Sequence, residues 1–155
     1  MTKLSQLEKQ LQADNLDCLL ITSEVNRRYV SGFTGTAGMV LVGEHIKKFI
    51  TDFRYMDQAR EQVKDFDVVE HKKSILATIQ EELAAAGVKR LGFEKQHVTY
   101  AQYEQLQKEL HVELIPVDGL IEQLRLTKTD AELQIMKKAA AERGVNVMEA
   151  TVSTV

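Results

Sequence analysis

Apolar and polar positions change period repeatedly along this chain, and the changes predict alternating helices and strands. Leu4, Leu7 and Leu11 recur at helical spacing and predict an opening amphipathic helix, ended by Asp14-Asn15. Asp17 to Thr22 holds the continuous apolar run Cys18-Leu19-Leu20-Ile21, the pattern of a strand buried on both faces. Ser23 is placed to cap a short helix over Glu24 to Val30. Ser31 to Gly38 then carries Gly32, Gly35 and Gly38, which marks a loop with unusual backbone angles. Met39–Val42 and Ile46–Thr51 read as a hairpin turning at Gly43-Glu44. Asp52 is a natural N-cap for a helix from Phe53 to Val63, with Phe53, Met56 and Val63 facing inward.

The second half repeats the alternation. Phe66–Glu70 reads as a strand, and Ser74 caps a helix with Ile75, Ile79 and Leu83 on one stripe, ended by Gly87. Val88–Phe93 is a strand, Tyr100–Leu110 a helix, and Val112–Ile115 a short strand stopped by Pro116. Asp118–Leu124 reads as a short helix. Thr129-Asp130-Ala131-Glu132 has the form of a capping box, starting a helix with Leu133, Met136 and Ala140 on one face. The early hairpin breaks strict βαβ order. The predicted fold class is therefore α/β, a mixed β-sheet flanked by helices on both faces.

Composition narrows the function classes. The 155 residues suit one domain, and 44% hydrophobic with 28% charged residues is ordinary for a globular chain. A net charge of −3 without a dense Lys/Arg run argues against nucleic acid as partner. No apolar run is long enough to span a bilayer, and the polar amino terminus lacks a signal-peptide core. The single cysteine, Cys18, fits a reducing compartment, so a cytoplasmic location is expected.

Candidate chemistry is sparse. Cys18 lies in an apolar run without an activating neighbour and reads as a buried apolar residue. His45, His71, His97 and His111 are scattered, none paired at metal-binding spacing. Asp17 and Asp52 are the one pair that would suit a two-metal nuclease, and both have simpler roles as turn former and cap. Neither a catalytic nor a metal residue is assigned. The glycine loop is not the dinucleotide pattern G-x-G-x-x-G and lacks a following Gly-Lys-Ser/Thr. It either displays Phe33 for contact or tucks it into the core.

Three blocks carry a family resemblance. Asn26 to Gly38 resembles the N-x-x-Y-[LV]-[ST]-G-F-x-G-[ST]-x-G segment of the creatinase/prolidase peptidases. Thr51 to Ala59 resembles their T-D-x-R-Y-x-x-Q-A. Leu124 to Leu133 resembles the L-R-x-x-K-x-x-x-E-[IL] that leads into the catalytic domain. The blocks stand in the family's order and reach from about Leu4 to Ala141. The resemblance implies a creatinase/prolidase N-terminal domain of ribonuclease-H-like topology over residues 1–128. Residues 129–155 would form a linker helix towards a catalytic domain, with a frayed end.

The resemblance further implies a parent Xaa-Pro dipeptidase (prolidase) or aminopeptidase that hydrolyses the bond before proline. Its two divalent ions, manganese or cobalt, would sit in the catalytic domain, so no cofactor is expected in this chain. The N-terminal domain would serve dimerisation with a second subunit and shape the substrate entrance for short proline-containing peptides. Phe33, Thr34, Gly35 and Thr36 are its candidate entrance loop. Asp52, Arg54 and Tyr55 are candidate supports, Asp52 as a cap and Arg54 as a brace on the neighbouring loop. The residues after Ala141 depart from the family's continuation. That departure keeps an alternative open, a stand-alone interaction module of the same fold.

Overall fold

The computed structural model describes residues 3–126. The expected linker helix over 129–155 lies outside the described residues. The chain divides into a unit Met1–Leu120 and a unit Ile121–Val155, of which residues 121–126 are described and helical.

The first unit runs α1 (Lys3–Ala13), β1 (Cys18–Ile21), α2 (Glu24–Ser31), β2 (Met39–Gly43), β3 (Ile46–Thr51), a 3₁₀ turn (Phe53–Tyr55) and α3 (Met56–Gln62). It continues with β4 (Asp67–Glu70), α4 (Ile75–Ala85), β5 (Arg90–Glu94), α5 (Tyr100–Glu109) and β6 (Glu113–Val117). The six strands form one mixed sheet in the order β4-β3-β2-β1-β5-β6. β2 runs antiparallel to β1 and β3, whereas β4 is parallel to β3, and β5 to β1 and β6. The expected mixed α/β architecture is present.

Strand parity distributes the core between two faces. Cys18, Leu20, Leu41, Ile46 and Ile50 pack with Ile79 and Leu83 of α4 and Leu106 of α5. Leu4, Leu7 and Leu11 give α1 its buried stripe, as the spacing predicts. Each such burial stabilises by about 1.5–3 kcal/mol. Two adjacent lysines of β3 mark the opposite faces. Lys47 Nζ lies 2.8 Å from Glu8 of α1, and Lys48 Nζ lies 3.6 Å from Glu82 of α4.

Three local expectations need correction. The hairpin turns at Glu44-His45, because Gly43 still pairs with Ile46. Gly43 is there for close approach: a Cβ on it would lie 2.2 Å from the Asp17 carbonyl oxygen. Pro116 does not stop β6 but sits inside it, opposite Phe93. β6 is an edge strand, where a missing N–H is tolerated. Finally, the helix after Asp52 opens as a 3₁₀ turn, which takes Phe53 off the Met56 and Val63 stripe. Phe53 is 76% exposed instead of buried.

Candidate functional site

The glycine loop lies at the end of the sheet where β1 and β3 finish, and α2 leads into it. Ser23 caps α2, its Oγ accepting from Asn26 N at 3.3 Å. A buried carboxylate from β5 reinforces that end. Glu94 Oε1 accepts from the N–H groups of Thr22 and Ser23 at 2.8 and 2.9 Å, and Oε2 accepts from Asn26 Nδ2 at 2.6 Å. A negative group at a helix N-terminus is favourable, and charged hydrogen bonds are the stronger kind. Glu94 thereby ties two strands and a helix together across about seventy residues of chain. At its other end α2 closes on Gly32, whose φ of 82° is the left-handed cap that favours glycine.

From Gly32 onward the loop is wrapped around buried groups. Phe33 is 1% exposed and sits beneath it, 4.7 Å from Phe49 between ring centroids and 6.0 Å from Tyr55 edge-on. Arg27 is 4% exposed. Its Nη2 donates to the Gly35 carbonyl at 2.7 Å and its Nη1 to the Gly38 carbonyl at 3.0 Å. Burial pulls its pKa below the usual arginine range. Thr51 Oγ1 donates to the Ala37 carbonyl at 2.8 Å. Ser31 Oγ donates to the Arg27 carbonyl at 2.6 Å and accepts from Phe33 N at 3.2 Å.

Neutral polar groups form the outer rim. Thr34 and Thr36 are exposed, whereas Gly35 between them is buried. Thr34 N donates to Gln62 Oε1 at 3.0 Å, and Thr34 Oγ1 accepts from Gln62 Nε2 at 3.0 Å and Gln58 Nε2 at 3.2 Å. The Thr36 and Tyr55 hydroxyls are 2.9 Å apart. Asp52 caps the 3₁₀ turn through Oδ1, which accepts from Arg54 N at 2.9 Å. The Arg54 guanidinium returns to the same carboxylate at 3.1 and 2.9 Å and holds the Asp52 carboxyl below the usual carboxylate range. The Arg54 guanidinium hydrogen bonds thus go to Asp52, whereas those to the loop carbonyls come from Arg27.

The structure brings Phe33, Thr34, Gly35, Thr36 and Tyr55 together, with Asp52 and Arg54 adjoining through the turn. Sequence reasoning missed Arg27, Gln58, Gln62 and Glu94. Arg27 falls on a variable position of the first block, and Gln58 lies in the second block, so only Gln58 had a signal. The site residues offer hydroxyls, amides and a guanidinium, and contain no nucleophile paired with a base. Cys18 lies elsewhere, in β1, with burial pushing its thiol up to about 12. Asp17 and Asp52 do not form a two-metal pair, because one precedes β1 and the other follows β3, at opposite ends of the sheet. Asp17 instead accepts from the N–H groups of Lys89 and Arg90, both at 2.9 Å. A cavity of about 230 Å³ lies at that far end, lined in part by Glu8, Leu16, Asp17, His45 and Val88, away from the loop. Among the described residues, no helix is long and apolar enough to cross a membrane.

Comparison with known proteins places these features in a family. The chain is 41% identical over 139 residues to the uncharacterized peptidase YqhT of Bacillus subtilis, covering 89% of this chain and 39% of that protein. It superimposes on the Xaa-Pro dipeptidase of Bacillus anthracis with a TM-score of 0.80 at 38% identity, covering 91% of this chain and 41% of that one. It matches the crystallised N-terminal domain of cytoplasmic peptidase PepQ from Mycobacterium tuberculosis with a TM-score of 0.70 at 33% identity, covering 78% of this chain and 96% of that one. The chain spans 37–39% of the length of the first curated relatives it matches. Residues 3–127 match the creatinase/prolidase N-terminal domain, and the chain belongs to that family.

Proposed function

We propose that this chain is the non-catalytic N-terminal domain of a metal-dependent Xaa-Pro dipeptidase or aminopeptidase. The parent hydrolyses the peptide bond before proline. Two divalent ions, manganese or cobalt, supply a polarised carbonyl and an activated water in a separate catalytic domain. Among the described residues, Asp17, Asp52 and Glu94 each accept hydrogen bonds from donors of the fold.

In this reading the domain supports a homodimer and shapes the substrate entrance for short peptides. The observation that carries it is the construction of the glycine loop. Phe33 and Arg27 anchor it from beneath, while Thr34 and Thr36 are held outward on Gln58, Gln62 and Tyr55. A wall fixed in this way positions a short substrate and excludes water without an ordering cost at binding. The test is kinetic, in the full-length parent. Thr34→Ala and Thr36→Ala should change kcat/KM for Ala-Pro relative to longer proline peptides, with Tm nearly unchanged. An unaltered chain-length preference in both variants rejects the entrance role.

A second reading is an interaction module of the same fold without catalysis, in which the exposed Phe53 would be one point of contact. That reading predicts that the full-length protein hydrolyses no Xaa-Pro peptide when supplied with manganese or cobalt.

A further inference from the structure

Two consecutive residues in the first turn of α2 hold different parts of the fold. Asn26 and Arg27 are both buried. Asn26 Nδ2 donates to Glu94 Oε2 of β5 at 2.6 Å. The Arg27 guanidinium donates to the Gly35 and Gly38 carbonyls at 2.7 and 3.0 Å. Successive side chains leave a helix about 100° apart around its axis. The rotational setting of α2 therefore decides both contacts together. A helix fixed on the Asn26 side presents Arg27 to the loop in one direction only.

Glu94 does more than cap that helix. Ser23 Oγ already accepts from Asn26 N, the ordinary N-cap bond. Glu94 adds bonds from the N–H groups of Thr22 and Ser23 and from the Asn26 side chain. Attachment to the backbone before the helix and to a side chain of its first turn restrains rotation as well as position. One cap bond does not. A buried carboxylate is costly unless donors meet its lone pairs, and here three do, at 2.6 to 2.9 Å.

We propose that Glu94 is a positioning residue for the glycine loop, acting through Asn26 to set α2 and through Arg27 to set the Gly35 and Gly38 carbonyls. The inference rests on the entrance reading for its effect on the reaction. Thr34 and Thr36 flank Gly35, so a turn of α2 that moves the Gly35 carbonyl moves the wall those residues form. Misplacing a substrate-positioning group by about 1 Å can cost about 100-fold in rate. Glu94 touches no substrate in this arrangement, and its influence is carried by the helix between.

The experiment is a rescue in the full-length parent, read as the ratio of kcat/KM for Ala-Pro to that for a longer proline peptide. Asn26→Asp sets a second carboxylate against Glu94 and should change this ratio by about tenfold. Adding Glu94→Gln puts a donor opposite the new carboxylate and should return the ratio to that of the unsubstituted enzyme. Asp17→Asn, at the opposite end of the sheet, is the control for altered stability and should leave the ratio unchanged. In the 15N-labelled 155-residue chain, NMR should show the Gly35 and Gly38 amide signals moved by Asn26→Asp, restored in the double variant and unmoved by Asp17→Asn. Loop signals unmoved by Asn26→Asp, or a folded double variant that restores neither signals nor ratio, overturns the proposal. If Asn26→Asp does not fold, Asn26→Ala, which only deletes the bond, decides in its place, and an unchanged ratio overturns the proposal. An unchanged ratio here, with Thr34→Ala still altering chain-length preference, removes the role of Glu94 and leaves the entrance role standing. An unchanged ratio in Thr34→Ala and Thr36→Ala as well removes both.

Discussion

Gly35→Ala tests the packing of the loop most directly. The added Cβ would lie 2.3 Å from Phe33 Cζ, 2.5 Å from Phe33 Cε2 and 3.1 Å from Tyr55 Cδ1. Carbon atoms rest about 3.5–4.0 Å apart, so the Phe33 ring would have to retreat by more than an ångström. It has nowhere to go. Phe49 stands 4.7 Å away, Tyr55 meets it edge-on at 6.0 Å, and the ring is 1% exposed. Overpacking of this kind costs about 1–3 kcal/mol. For a domain of this size each kcal/mol lowers Tm by about 2–4 °C, so the variant should melt about 2–12 °C lower. Phe33→Leu removes the ring atoms that the new methyl strikes. The double variant should therefore be less destabilised than the sum of the two single changes, by about 0.5–3 kcal/mol. Urea unfolding of the four proteins, followed by circular dichroism, measures the cycle. A Gly35→Ala protein as stable as the parent, or strict additivity in the double variant, refutes a loop resting on a trapped ring.

Other expectations follow from the same geometry. Glu94→Ala strips three hydrogen bonds from the Thr22–Asn26 corner and should cost more than the about 1.5–3 kcal/mol of a single charged hydrogen bond, read as a loss in the urea midpoint. Thr99→Ala breaks the capping box of α5 and should cost about 1 kcal/mol, checked the same way. The N–H groups of Arg90 and then Lys89 lower the Asp17 pKa in the folded chain, so between its folded and unfolded values the unfolded chain binds more protons. Its contribution is present above the unfolded pKa of about 3.9 and is lost as pH falls through the lower folded value. Asp17→Asn should flatten the acid limb of a stability–pH curve below about pH 4, and an unchanged limb refutes the assignment. Cys18, buried and with its pKa near 12, should resist iodoacetamide at pH 8 until the chain is unfolded, as followed by mass spectrometry.

Much of the fold was legible because the features that specify it are local. Leu4, Leu7 and Leu11 define a helical stripe by spacing alone, and Ser23 and Ser74 cap helices through groups within three residues. The apolar run of β1 announced a strand buried on both faces, and all four of its residues are buried. The first two family blocks pointed to the region of the candidate site for the same reason, since each is a short contiguous string.

Tertiary structure decided what depends on residues meeting from distant parts of the chain. Composition left Phe33 open between surface and core, and the rings of Phe49 and Tyr55 place it in the core. The pattern paired Arg54 with the loop, but its nearest carboxylate, two residues away, holds it. Arg27 sits at a position the motif leaves variable. Its role exists only because α2 ends where the loop can fold its carbonyls over the guanidinium. Glu94 reads as one more surface acid until β5 runs beside β1 and places its carboxylate against the N–H groups that open α2. The sequence by itself determined the elements and the family, because period, caps and contiguous motifs are properties of neighbours in the chain. Which groups were buried, and which polar groups met them, was settled only when the sheet brought its strands together, because burial and contact are properties of neighbours in space.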